Sequence, residues 1–206
     1  MAKRLDLNDM SLDVLDVLTE IGNIGAGNAT TALSQILQTE VEMKAPTIKV
    51  LDFCDVGDVV GGEEQVVAAI YLTVSGDITG SIMFMQRVDS AGHIIETLLG
   101  EAVGNHLNYT EMQLSVLQEI GNIITGSYLN SLAALTKLKI FPSMPSLSID
   151  MAGAILSVPA IEFGQISDKI LLIQTQFTDD VVIDGYFLLV PDLESYDIIL
   201  KSLGMN

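Results

Sequence analysis

The chain has a single cysteine, Cys54, and two histidines, His93 and His106, among 206 residues. One cysteine excludes an internal disulfide and fits a reducing compartment, so a cytoplasmic location is expected. There is no HExxH or CxxC pattern, which leaves too few soft ligands for a dedicated transition-metal site. No metal or cofactor of the chain's own is expected. No Ser or Asp stands at a spacing from either histidine that makes a hydrolytic triad readable. Both histidines read as surface or packing residues, and Cys54 as a small packing residue rather than a nucleophile.

Positive charge is also scarce, with nine Lys and Arg against 27 Asp and Glu and a net charge of −18. Phosphate backbones are bound by clustered Lys and Arg, so nucleic acid is excluded as a ligand class. A free phosphorylated metabolite is disfavoured for the same reason. If the protein handles phosphate, the partner must bring the positive charge, as metal or lysine. The acidic excess reads as solvated surface. Apolar content is 49%, yet no run reaches the ~18 residues of a membrane helix. The longest candidate, 151–164, is short and broken by Pro159, so no membrane insertion is expected. The first residues, MAKRLDLND, carry two basic side chains but no apolar stretch, and a secretory leader is not expected.

What the chain does have is a repeated stretch. Residues 16–27, DVLTEIGNIGAG, return in altered form at 115–126 as SVLQEIGNIITG. The shift of 99 positions that carries Glu20 onto Glu119 also carries Leu18 onto Leu117, Gly27 onto Gly126 and Pro46 onto Pro145. Shared spacing of that length reads as an internal duplication. Both copies have helical periodicity, with apolar residues at Leu15, Leu18, Ile21 and Ile24, and at Leu114, Leu117, Ile120 and Ile123/Ile124. At about 100° per residue, Asp16, Glu20, Asn23 and Gly27 share one polar stripe, as do Ser115, Glu119, Asn122 and Gly126.

The order of elements around these helices is also repeated. The first half reads as a long helix over 10–38 capped by Asn8 or Ser11, and a strand over 44–53 that starts after Pro46. A loop or weak helical turn follows over 54–64, then strands over 65–75 and 78–86, and a helix over 89–99 capped by Asp89 and ended by Gly100. In the second half a helix over 110–137 with Thr110 as cap leads into a strand over 141–149. A short helix over 150–158 is stopped by Pro159, before strands over 169–177 and 181–190 and a last helix over 192–203. The expected fold is α+β, a pseudo-twofold duplication of a helix–three-strand–helix repeat with long helices packed on a largely antiparallel sheet. No linker separates the halves, so residues 1–206 are read as one domain of two repeats, about 10–100 and 109–204.

The glycines in the first copy are costly. Gly in a helix interior loses about 1 kcal/mol against Ala, so Gly22, Gly25 and Gly27 point to close backbone approach, by a neighbouring element or by a partner. GNIGAGN is not a dinucleotide fingerprint, because its glycines fall inside a helical period already under way rather than between a strand and a helix. A solvated polar face would explain Glu20 and Asn23 alone. Their return as Glu119 and Asn122 with the same spacing favours a site. Asn is neither base nor nucleophile, but its amide accepts from water and donates to a phosphoryl oxygen without repelling a dianion. It can place a water for in-line attack, where catalysis is mostly positioning. Glu can pair with a partner's cation and fix docking geometry.

A helix bearing Asp/Ser-x₃-Glu-x₂-Asn, followed after 22 residues by Pro, occurs here twice, as Asp16, Glu20, Asn23, Pro46 and as Ser115, Glu119, Asn122, Pro145. This resembles the CheC/CheX/FliY family of chemotaxis phosphatases, and the match spans essentially the whole chain. The resemblance implies a phosphatase acting on the aspartyl phosphate of the response regulator CheY. Asn23 and Asn122 would each orient the attacking water, and Glu20 and Glu119 would salt-bridge the regulator's active-site lysine. Mg²⁺ would be held by the regulator. It also implies a complex with the receptor deamidase CheD, expected near 150–159 at Asp150, Met151, Gly153 and Ile155. A phosphate-dependent adaptor that binds CheY and CheD without hydrolysis is the rival reading. Retention of Asn in both copies favours the enzyme. A structural motor-switch role is disfavoured, since the rotor-binding extension of the FliY type has no counterpart here. The protein is expected to act as a monomer.

Overall fold

The computed structural model describes residues 12–103, 108–163, 169–179 and 181–204. The first half runs α1 (Leu12–Leu37), β1 (Glu42–Asp52), α2 (Phe53–Val60), β2 (Val66–Gly76), β3 (Gly80–Arg87) and α3 (Val88–Leu99). The second half repeats that order as α4 (Glu111–Thr136), β4 (Ile140–Pro142) with β5 (Ser146–Met151), α5 (Ala152–Phe163), β6 (Lys169–Thr178), β7 (Val182–Pro191) and α6 (Leu193–Ser202). The fold is α+β, as expected.

Among the described residues, seven strands form one sheet in the order β1-β6-β7-β3-β2-β4, with β5 also paired to β2. Every pairing is antiparallel. Read outward from the β3–β7 pair, the order is the same in both directions once β4 and β5 are taken as one interrupted strand. The opening strand of each half crosses to the hairpin of the other: β1 lies on β6, and β4 and β5 lie on β2. Neither half pairs its own three strands into a continuous sheet, so the halves are interlocked.

The two motif prolines explain a shared irregularity. The β1–β6 register shifts between Lys44 and Thr47, around Pro46. The gap between β4 and β5 contains Pro145 at the equivalent place. Proline donates no ladder hydrogen bond, so it is tolerated only at sheet edges or bulges, and both sit on outer strands. The sequence expectation that the first strand starts after Pro46 is corrected: β1 already begins at Glu42 and takes the proline in at its bulge.

Strand side chains alternate between two helical layers. On one face Leu72, Ile82, Phe84, Ile173 and Phe187 pack under α1 and α4, joined by Ile94 of α3 and Ile199 of α6. On the other face Val67, Met83, Met85, Leu172 and Leu188 pack under Val56 and Val60 of α2 and Ala152, Ile155 and Leu156 of α5. Tyr128 pins α4 to the sheet. Its hydroxyl bonds Thr175 Oγ1 at 2.6 Å and its ring stacks on Phe187 at 4.3 Å. Burial pushes its pKa up to about 12 despite the Thr175 bond.

Several local expectations need correction. Residues 54–64 are not mainly loop: α2 is a two-turn helix whose valines dock on the sheet, closed by Gly61 at φ 122°. Asp89 is not the cap of α3; Arg87 holds that position without a side-chain cap bond, and Asp89 lies in the first turn. Pro159 does not stop α5, which runs on to Phe163. Its ring is buried, and that burial offsets the missing N–H bond. Thr110 caps α4 as expected, in a full capping box with Gln113. The proposed caps Asn8 and Ser11, and His106, lie outside the described residues.

His93 is more than a packing residue. Its Nε2 lies 3.0 Å from both carboxylate oxygens of Asp179, tying α3 to the β6–β7 turn. Burial pushes the Asp179 carboxyl up. Hydrogen bonds from the Val181 N–H and from His93, with the His93 charge, more than offset it, and the group lies below its ordinary value of 3.8. A lowered carboxyl contributes stability above its unfolded pKa that is lost as pH falls through the folded one. Asp179→Asn is therefore expected to lower stability at about pH 6, with the difference from wild type closing towards about pH 3. Urea unfolding at the two pH values checks this. A pH-independent difference would show that charge plays no part.

Candidate functional site

The exposed stripes of α1 and α4 place the repeated residues as the helical period requires. Asp16 and Glu20 are exposed on α1 and Asn23 is half-buried, while Ser115, Glu119 and Asn122 are all exposed on α4. The opposite stripe is core: Leu18, Ile21, Leu117, Ile120 and Ile124 are each no more than 4% exposed. A Glu and an Asn one turn apart thus face outward from each helix, and both helices lie on the same face of the sheet.

These side chains are not spent on the fold. Among the described residues, Glu20, Asn23, Glu119 and Asn122 make no side-chain hydrogen bond or ion pair within the chain. The cross-link between the helices comes instead from Asn28, whose Nδ2 reaches Ser131 Oγ at 3.4 Å. Polar side chains held on a rigid helix, with free donors and acceptors, suit recognition of something outside the chain.

The prolines stand behind the sites. An added Cβ on Gly22, between Glu20 and Asn23, would lie 3.7 Å from Pro46 Cβ and 3.5 Å from Ile173. On α4, Gln118 Nε2 donates to the Pro145 carbonyl at 3.1 Å. Each strand bulge therefore braces its motif helix, by packing in one case and by a hydrogen bond in the other. An open cleft of about 620 Å³ adjoins α4, lined by Tyr109, Leu114, Gln118, Pro145 and Leu147. Sequence reasoning missed Gln118 because Thr19 stands at the matching place in the first copy, so the repeat gave no signal there.

The glycines separate into two kinds. An added Cβ on Gly25 would meet Tyr128 Cδ1 at 2.6 Å and Tyr128 Cα at 3.1 Å, and one on Gly121 would run into Ile70 Cγ1 of β2. These mark where α1 crosses α4 and where α4 presses on the sheet. Among the described residues, nothing lies within 4 Å of an added Cβ on Gly27 or Gly126.

The second surface expected from the sequence, around 150–159, is only partly accessible. Asp150 and Met151 are exposed at the end of β5 rather than in a helix. Gly153 is packed against Glu63, and Ile155 is 7% exposed and faces the core. Val158 and Ile161 are large apolar side chains of α5 that are exposed. Cys54 corrects its expectation too: it is exposed at the start of α2, not packed. The Asp55 carboxylate, with lesser contributions from desolvation and from Asp52, pushes its thiol up, which disfavours the thiolate a nucleophile needs.

Among the described residues no three His, Cys, Asp or Glu side chains gather where they could hold a metal ion. Among the same residues, no helix is long and apolar enough to cross a membrane.

Comparison with known proteins places this arrangement. The model of the CheC-like family matches residues 14–50 and 112–149, the two motif helices with the strands that follow them. The CheY-P phosphatase CheC of Bacillus subtilis is 35% identical over 204 residues, covering 97% of this chain and 98% of that protein. Among solved structures, Thermotoga maritima FliY superposes with a TM-score of 0.74 at 19% identity, covering 95% of this chain and 98% of that one. The FliM middle domain from H. pylori superposes with a TM-score of 0.72 at 12% identity, covering 94% and 99%. At those identities the two structures speak for the fold alone. The near full-length relative and the matched motif regions show that the chain belongs to the CheC-like family.

Proposed function

We propose that the protein is a chemotaxis phosphatase that hydrolyses the aspartyl phosphate of a CheY-type response regulator at two places, one on α1 and one on α4. The observation that carries this reading is the pair of outward-facing Glu and Asn residues, present on both helices and unused by the fold. The name of the Bacillus subtilis relative, a CheY-P phosphatase, supports the same substrate.

The chemistry follows from what these side chains can do. The Asn amide oxygen accepts from a water while its NH₂ donates to a phosphoryl oxygen, which holds the water in line with the scissile acyl phosphate P–O bond. Water adds to phosphorus, the aspartyl carboxylate leaves, and inorganic phosphate is released. No nucleophile of this chain is needed, since an acyl phosphate is already activated and positioning supplies the acceleration. Glu20 and Glu119 anchor the regulator by pairing with its lysine, a charge-assisted contact. Mg²⁺ belongs to the regulator's own site. We assign a second partner, the deamidase CheD, to the surface at the exposed Asp150 and Met151.

The roles separate kinetically. Glu20→Gln with Glu119→Gln is expected to raise KM for the phosphorylated regulator by about tenfold or more, with a smaller effect on kcat. Steady-state phosphate release over a range of regulator concentrations reads both constants. Binding of the phosphorylated regulator with no acceleration of its decay would instead make the protein an adaptor.

A further inference from the structure

Two glycines remain unexplained by anything among the described residues. Gly27 and Gly126 lie in the interiors of 26-residue helices, where Gly is the poorest choice other than Pro. Three causes usually require a helical glycine. A left-handed backbone is one, but neither residue is among the positive-φ positions. A close internal neighbour is another, as for Gly25 and Gly121, but an added Cβ here meets nothing within 4 Å. The third is close approach by something outside the chain.

Their position gives that third cause a partner. Gly27 lies four residues after Asn23 and Gly126 four residues after Asn122, one turn on and along the same stripe. Glu, Asn and Gly therefore form a continuous line on each helix, with a side chain at the first two places and bare backbone at the third. Both glycines are half-exposed.

We propose that Gly27 and Gly126 are specificity-determining positions of the two sites, where the backbone of the response regulator is admitted to van der Waals contact with the helix. Resting on the phosphatase reading above, this adds a steric element to Glu docking and Asn water placement. A Cβ on this stripe holds the regulator away and leaves the Asn amide too far from the phosphoryl group in the weakly bound complex. Glycine at these places makes the free protein less stable than it could be, in return for that approach.

The prediction has opposite signs in two measurements. Gly27→Ala with Gly126→Ala is expected to raise the melting temperature, because Ala is the better helix former and each site has room for a methyl group. The same variant is expected to raise KM for the phosphorylated regulator roughly tenfold, with kcat at saturation changed less. Affinity for the regulator activated by beryllofluoride, measured by calorimetry, should weaken by a similar factor. A higher melting temperature with wild-type KM and wild-type affinity would overturn the proposal. A lower melting temperature would also overturn it, since it would reveal an internal role for the glycines. The calorimetric readout separates this proposal from the catalytic one. If wild type binds the activated regulator but does not speed phosphate loss, the phosphatase reading fails, and the ratio of affinities still decides the role of the glycines.

Discussion

Asn23→Ala combined with Asn122→Ala is expected to abolish acceleration of regulator dephosphorylation while leaving the fold intact. Misplacing a catalytic water costs on the order of 10²-fold at each site, and Ala offers neither acceptor nor donor. The fold should survive because neither Asn makes a side-chain bond within the described chain, and both lie on the outward stripe. Substitutions of that kind usually change stability by no more than about 0.5 kcal/mol. Each single variant should keep the activity of the other helix, since the motifs stand on separate elements. Circular dichroism and urea unfolding check the fold, and phosphate release checks the activity. An unfolded double variant would make these residues structural and defeat the account of the site.

The second large effect is on stability, at Gly25 and Gly121. Ala at either place gains about 1 kcal/mol of helix propensity, yet each is expected to be destabilising. At Gly25 the methyl group meets Tyr128 side chain and backbone, and Tyr128 is fixed by its bond to Thr175. At Gly121 it meets Ile70, which lies in β2 between two paired strands. Overpacking of this kind costs about 1–3 kcal/mol, so each variant should unfold at lower urea concentration than wild type. Gly27→Ala and Gly126→Ala should move the other way. If all four substitutions had the same sign, the division of these glycines into internal and external roles would be wrong.

The candidate site was legible in the sequence because its residues are local and occur twice. Glu20, Asn23, Glu119 and Asn122 needed only the helical period to be placed on one stripe of each helix, and the structure puts them there. The glycines were only half legible: their cost pointed to close approach, but only coordinates separate Gly25, packed on Tyr128, from Gly27, facing open space. The sheet was legible in its strands but not in its order. Crossing of β1 to β6 and of β5 to β2 is a long-range pairing, and nothing in the pattern of either strand names its neighbour. The hidden helix α2 and the unbroken α5 share a physical cause. In both, burial of a short apolar face against the sheet overrides a local breaker, Gly57 in one and Pro159 in the other. The resemblance put Ile155 on a partner-facing surface, whereas packing against the second face of the sheet buries it.

The central claim is that each of two helices carries a working hydrolytic site. Its most direct test is the decay of labelled aspartyl phosphate on the regulator in Mg²⁺, followed with wild type, Asn23→Ala, Asn122→Ala and the double variant in parallel. The account predicts faster decay with wild type, a part of that acceleration with each single variant, and the regulator's own rate with the double variant. Full wild-type acceleration by the double variant would contradict it.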